Sequence, residues 1–165
     1  MTAMQQALRL LARRAYAEQE LRQRLLRGGG LNHNDVDQAI AKCYDLGYLD
    51  DQHFAQERIR HRFDQGYGPA YLRAELRQCG VAEEIVTQAL QQQLEQSPAV
   101  VVARAVWQRR PDVRDPMSGQ SLRREDARKH YTFLRRRGFD HDTVCQVLQT
   151  NSDRDDFEGI DHECE

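Results

Sequence analysis

Gly66-Tyr67-Gly68-Pro69-Ala70-Tyr71-Leu72-Arg73-Ala74-Glu75-Leu76-Arg77-Gln78-Cys79-Gly80-Val81 is the stretch on which the reading of this 165-residue chain turns. Gly66 and Gly80 can take the left-handed conformation that closes a helix. Pro69 suits a first helical position, where its missing N–H would have no partner anyway. Between these stops Leu72, Leu76 and Cys79 recur at helical spacing, and past Gly80 so do Val86, Ala89 and Leu90. The segment from Gly66 to Leu90 therefore predicts a helical hairpin, with Arg73, Glu75, Arg77 and Gln88 left for its other side.

The same hairpin is written three times. Gly30-Leu31 with Val36, Ala39 and Ile40 matches Gly80-Val81 with Val86, Ala89 and Leu90, and matches Gly138-Phe139 with Val144, Val147 and Leu148. Upstream, Leu76 and Leu134 lie four residues before their glycines. Leu25 lies four before Gly29, so the first copy has an extra residue in its Gly28-Gly29-Gly30 corner. Offsets of fifty and fifty-eight residues predict an all-α chain of three tandem three-helix repeats, each burying its apolar face against the next and together forming an elongated molecule. The expected divisions are 1–47, 48–96 and 97–150, followed by an acidic, disordered tail at 151–165.

Caps and stops place nine helices. The first is expected over Thr2–Arg14 with Met4, Ala7, Leu8, Leu11 and Ala15 inward, and the second begins near Ala17 with Leu21 and Leu25. Asn32 caps the third, which presents Val36, Ala39, Ile40 and Cys43 and stops at Gly47. Asp50 caps the fourth, with Asp51 favourable in its first turn and Phe54, Ala55, Ile59 and Phe63 inward. After the Gly66–Leu90 hairpin, Ser97-Pro98 opens a helix with Val102, Ala105 and Val106 periodic, until Pro111 breaks it. A loop to Ser121 leads into a last hairpin over about Leu122–Gln149, with Ala127, Tyr131 and Leu134 inside and Asp140 as cap. No segment reads as a strand of useful length.

Composition narrows the class. At 39% hydrophobic and 30% charged the chain fits a soluble globular protein, and no window approaches the roughly 20 apolar residues of a membrane span. The N-terminus lacks the order of a secretory signal, so a cytoplasmic location is expected. Cys43, Cys79, Cys145 and Cys164 show no CxxC pairing, and three of them sit at apolar helical positions, as structural cysteines do. The net charge of −2 hides an asymmetry. Residues 153–165 hold seven acids and one base, so residues 1–152 carry 23 bases against 19 acids.

Catalytic equipment is missing from the pattern. The chain has no Gly-rich phosphate loop, no HExxH and no serine in a nucleophile elbow, so no enzyme activity, cofactor or metal is expected. His53, Glu57 and His61 share one helical face, but eight residues span roughly 12 Å of helix, too far for both histidines to hold one ion. Positive charge is the stronger signal. Arg104, Arg109, Arg110, Arg114, Arg123, Arg124, Arg128, Lys129, Arg135, Arg136 and Arg137 stand against Asp112, Asp115, Glu125 and Asp126. Arginines at this spacing suit phosphate oxygens or a partner's carboxylates, or else form a solvated helix face. Tyr48 and Tyr67, at their glycine corners, either staple helices or meet a partner.

Gly47-Tyr48-Leu49-Asp50-Asp51 followed by Phe54-Ala55, then Gly66-Tyr67-Gly68-Pro69 with Leu72, Arg73, Glu75 and Leu76, strongly resembles the RecX regulatory family. Glu18-Gln19-Glu20-Leu21-Arg22 with Leu25, and Phe133-Leu134 with Arg137-Gly138-Phe139, extend the resemblance over about residues 5–150. The resemblance implies a curved, all-helical protein that binds the RecA recombinase and the RecA–DNA filament. It further implies inhibition of strand exchange, ATP hydrolysis and the stimulation of repressor cleavage. Candidate contacts for RecA, or for single- or double-stranded DNA, are then Tyr67, Arg73, Arg77, Arg104, Arg109, Arg110, Arg123, Arg124, Arg128, Lys129, Arg135, Arg136 and Arg137. A monomer is expected. Two features depart from the family: Ala17 stands where a serine or threonine often caps the second helix, and the acidic tail is long. The competing readings are an autonomous DNA-binding protein and an enzyme with an unrecognised site.

Overall fold

The computed structural model describes residues 1–28, 30–111 and 124–148, with side chains from residue 126 onward in the last segment. Among these residues there are nine α-helices and no strand: α1 Ala3–Leu11, α2 Glu18–Arg27, α3 His33–Asp45, α4 Asp51–Asp64, α5 Pro69–Gln78, α6 Glu83–Gln96, α7 Ala99–Gln108, α8 Arg124–Arg136 and α9 His141–Leu148. The expectations for Arg114, for the loop to Ser121, for Cys164 and for the acidic tail lie outside the described residues.

Helix starts follow their side chains. Asn32 accepts from the Asp35 N–H at 2.8 Å, Asp50 from the His53 N–H at 2.9 Å and Asp140 from the Thr143 N–H at 2.7 Å, each relieving an N–H that the helix itself leaves unpaired. Thr2 and Gln5 form a reciprocal capping box on α1. Helix ends follow the glycines. Gly30, Gly47, Gly66, Gly80 and Gly138 have φ between 72° and 88°, the region that costs an L-residue with a Cβ about 1–2 kcal/mol.

The aligned positions of the three hairpins share one environment. Val36, Val86 and Val144 are fully buried, and Ala39, Ala89 and Val147 nearly so, as are Ile40, Leu90 and Leu148. Each fully buried valine or leucine is worth roughly 1.5–3 kcal/mol over exposure, so the repeated pattern is a repeated core.

The chain separates into two compact units. Unit 1 comprises Met1–Ile59 and Ala74–Gln91, and unit 2 comprises Arg60–Arg73 and the chain from Gln92 onward. In unit 1, α1, α2 and α3 pack together around Ala7, Tyr16, Leu21, Leu25, Val36, Ile40, Cys43 and Leu49. In unit 2, α7, α8 and α9 enclose Ala103, Trp107, Tyr131, Leu134, Phe139, Val144, Val147 and Leu148.

Four details differ from the sequence reading. Helix α1 ends at Leu11, so Ala15 is exposed and Leu10 packs on the core while Leu8 is turned outward. Helix α7 is capped by Pro98 without a side-chain bond, not by Ser97, and buries Ala103, Val106 and Trp107 in place of the Val102, Ala105, Val106 face. Trp107 is the largest side chain of that helix, and its burial sets the rotation. Cys79 is only partly buried, as is Cys145, whereas Cys43 is fully inside.

Candidate functional site

In unit 2 the corner between α4 and α5 meets the corner between α8 and α9 backbone to backbone. The Gly68 N–H donates to the Arg137 carbonyl at 2.6 Å and the Ala70 N–H to the Gly138 carbonyl at 3.0 Å. Only glycine permits this approach. A Cβ on Gly68 would lie 2.5 Å from the Gly138 carbonyl, and one on Gly138 would lie 2.3 Å from the Tyr71 nitrogen. Arg137 completes the clasp, its Nη1 donating to the carbonyls of Gln65 at 3.0 Å and Gly66 at 3.2 Å, which follow α4 without a helical partner.

Around the clasp, cations and rings alternate. The Arg110 guanidinium lies over Phe133 at 4.2 Å, and Arg137 over Phe133 at 5.0 Å and over Tyr67 at 5.2 Å. Arg62 lies over Tyr67 at 5.6 Å, and Tyr67 stacks on Tyr71 with ring centroids 4.3 Å apart. Within each of these cation–ring pairs the attraction is worth about 0.5–2 kcal/mol, depending on desolvation. Tyr67 thus packs against a neighbouring ring and remains half-exposed.

The other candidate cations are distributed as follows. Arg104, Arg109, Arg128, Lys129 and Arg136 are exposed in unit 2, with Lys129 3.8 Å from Asp126, and Arg73 is half-buried there. Arg135 donates to the Phe139 carbonyl at 3.2 Å. Arg77 belongs to unit 1, where it pairs with Glu83 at 3.1 Å. Arg123 and the Arg124 side chain fall outside the described residues. Arg62, Tyr71 and Phe133 take part in the cluster but escape a reading based on the 104–137 charge run.

Charge divides with the units. Unit 1 holds nine Lys/Arg against eleven Asp/Glu, whereas residues 60–73 and 92–148 hold fourteen against eight. The basic excess of the body therefore lies wholly in unit 2.

Unit 1 has its own polar cluster, at the start of α2. Ala17 offers no side-chain cap, and the Glu18 N–H donates instead to Asp51 Oδ1 at 2.8 Å. Glu20 pairs with Arg14 at 2.6 Å, and the Tyr44 hydroxyl donates to Glu18 Oε2 at 3.2 Å. Burial pushes the Asp51 carboxyl above the ordinary carboxylate range, with the Glu18 and Asp50 charges adding to it and the Glu18 N–H opposing. Tyr44 is pushed up by burial and by the carboxylates of Asp51, Glu18 and Asp50.

Burial likewise raises the Cys43 and Cys79 thiols, away from the thiolate that a nucleophile requires. Among the described residues no three of His, Cys, Asp and Glu converge as metal ligands, and His53, Glu57 and His61 are exposed on α4. No described helix is long and apolar enough to cross a membrane.

By architecture the chain is a helical-repeat protein carrying an arginine–aromatic surface. The family models for RecX match it twice, the first three-helix domain at residues 3–43 and the second at residues 50–90. It is 35% identical over 147 residues to regulatory protein RecX of Legionella pneumophila, covering 89% of this chain and 93% of that one. Regulatory protein RecX of Halorhodospira halophila is 37% identical over 153 residues, covering 93% and 89%. The crystal structure of RecX from Lactobacillus salivarius shares the fold with a TM-score of 0.75 at 20% identity, covering 89% of this chain and 92% of that one. The chain belongs to the RecX family of regulatory proteins.

Proposed function

We propose that this protein binds the RecA recombinase and the RecA–DNA filament and inhibits strand exchange, ATP hydrolysis and the stimulation of repressor cleavage. In this role it modulates recombination, DNA repair and the SOS response as a cytoplasmic monomer, without a catalytic centre or cofactor of its own. The observation that carries the reading is 35% identity to a regulatory RecX protein over 89% of the chain.

The test is a titration of RecA's DNA-dependent ATPase. Inhibition at well below one molecule per RecA monomer is expected, because blocking filament growth needs few molecules whereas competing for DNA sites needs comparable amounts. Inhibition only at comparable amounts would transfer the function to the second reading, an autonomous DNA-binding protein, which the excess of fourteen bases over eight acids in residues 60–73 and 92–148 favours.

A further inference from the structure

Among the described residues, large apolar side chains stay exposed in three places: Met1 and Leu8 at α1, Tyr44, Leu46 and Tyr48 around the Gly47 corner, and Val101 on α7. Their charged neighbours differ. The Gly47 corner sits among Asp45, Asp50, Asp51 and Glu18, whereas Val101 shares a helix face with Arg104 and Arg109. Helix α7 turns Ala103, Val106 and Trp107 inward. The opposite side at helical spacing is Val101, Arg104, Ala105, Gln108 and Arg109, an apolar strip edged by two exposed guanidiniums.

We infer that this face of α7 is the docking site of the chain's own acidic segment 153–161, seated through Phe157 and Ile160. The inference goes beyond the RecA reading, because it concerns a contact within this chain that needs no partner. Three features carry it. The first is charge. Segment 153–161 holds five acids and one base, and a guanidinium presents a fixed fork of donors to a carboxylate. Among the described residues neither Arg104 nor Arg109 holds an ion pair. The acids around the Gly47 corner would repel the same segment.

The second feature is apolar fit. Phe157 and Ile160 are the two large apolar residues after Leu148, and they lie three positions apart among the acids, as Val101 and Ala105 lie four apart among the arginines. The third is reach. Helix α9 packs on α7 and ends at Leu148, nine residues before Phe157, a length that spans up to about 30 Å. Ten-residue α7 is about 15 Å long and about 10–12 Å across, so Phe157 can arrive on any side of it. A tether this short holds the segment at millimolar effective concentration, which suffices for a contact too weak to persist between separate molecules. A partner approaching this face of α7 must then displace the segment first.

The experiment is two-dimensional amide NMR of the full chain at low salt, compared with F157S/I160S, R104Q/R109Q and R9Q/R24Q, the last pair being exposed in unit 1. F157S/I160S should shift the amide signals of Val101, Arg104 and Ala105 and leave those of Val36 and Val86 in place. R104Q/R109Q should shift and sharpen the signals of residues 153–161, and R9Q/R24Q should leave them unchanged. Added salt should move the wild-type α7 signals part of the way towards their F157S/I160S positions, since it screens the ion pairs and spares the apolar contact. Tenfold dilution should change nothing.

Unmoved α7 signals in F157S/I160S overturn the inference. If R104Q/R109Q disturbs the core of unit 2, F157S/I160S decides alone, because its substitutions lie outside every described helix. A dependence on dilution overturns the chosen occupant in favour of a second copy of the chain. An equal response in R9Q/R24Q also overturns it, by showing that the charge acts without regard to place. RecA is absent throughout, so failure here leaves the RecA reading standing.

Discussion

The corners at Gly30 and Gly138 have the same left-handed backbone, φ 82° and 88°, and the same apolar spacing downstream. Their surroundings are opposite. A Cβ on Gly30 would meet nothing within 4 Å, whereas one on Gly138 would press on the backbone of Tyr71. Gly80 is intermediate, with the Gln19 side chain 2.4 Å from the added carbon. One sequence signal therefore serves two purposes: it turns the chain at each of these corners, but among the described residues only in unit 2 does it also admit a second run of backbone. A repeat in the sequence records the turn and not the neighbour.

Alanine substitution should resolve the difference, and the steepest loss is expected at Gly138. There the left-handed penalty of about 1–2 kcal/mol adds to overpacking of about 1–3 kcal/mol against backbone that cannot swing aside. Gly138→Ala should cost about 3–4 kcal/mol, read in denaturant by the fluorescence of Trp107, the one tryptophan of the chain and a core residue of unit 2. A cost equal to that of Gly30→Ala would break the contrast.

Gly80→Ala should fall between them at about 2 kcal/mol, because Gln19 is a side chain and can shift. Circular dichroism melts measure it.

Asp51 extends the contrast from helix ends to helix starts, since Asn32 caps its own helix while Asp51 reaches back to α2. Asp51→Ala should cost about 1–2 kcal/mol and Asp51→Asn less, because asparagine keeps an oxygen for the Glu18 N–H. The pH dependence has a definite sign. With its folded pKa raised above the unfolded value of about 4, Asp51 contributes most below that range and loses the contribution as pH rises through the folded value. The stability of the wild type relative to Asp51→Asn should thus decline from about pH 4 upward and then level off. A difference that grows with pH would mean that the Glu18 N–H outweighs burial.

The smallest effect is expected at Gly30, where alanine meets only the conformational penalty of about 1 kcal/mol and asparagine, which tolerates the left-handed region, even less. Melts of the two variants side by side would show it.

Local chemistry was legible in the sequence, and distance was not. Asn32, Asp50 and Asp140 announce themselves as caps because their partners lie three residues on, and the inward faces of α3, α4 and α8 stand out against charged neighbours. The rotation of α7 was hidden because Ala99-Val100-Val101-Val102-Ala103 is apolar all round and gives the period nothing to contrast with. The second role of Asp51 and the Gly68 to Gly138 clasp depend on residues 33 to 72 positions apart, whereas Arg62, Tyr71 and Phe133 meet Tyr67 or Arg137 only four or five positions away and carry no signal in a count of charges. The buried His130 beside Trp107 was also missed, since its neighbours in sequence, Arg128 and Lys129, are exposed.

The reach of Asp51 back to Glu18 has a consequence during synthesis. A nascent chain emerging at about 5–20 residues per second exposes all of α1, α2 and α3 before Asp51 leaves the ribosome. Until it does, the Glu18 N–H at the start of α2 can be met only by water, so α2 lacks the stabilisation of its cap for a few seconds. Unit 2 waits longer, because its first segment, Arg60–Arg73, can close its backbone bonds only when Arg137 and Gly138 arrive. Such late, non-local closure raises contact order and slows folding. The order of assembly is thereby written from the amino end, with unit 1 able to close before unit 2 is whole.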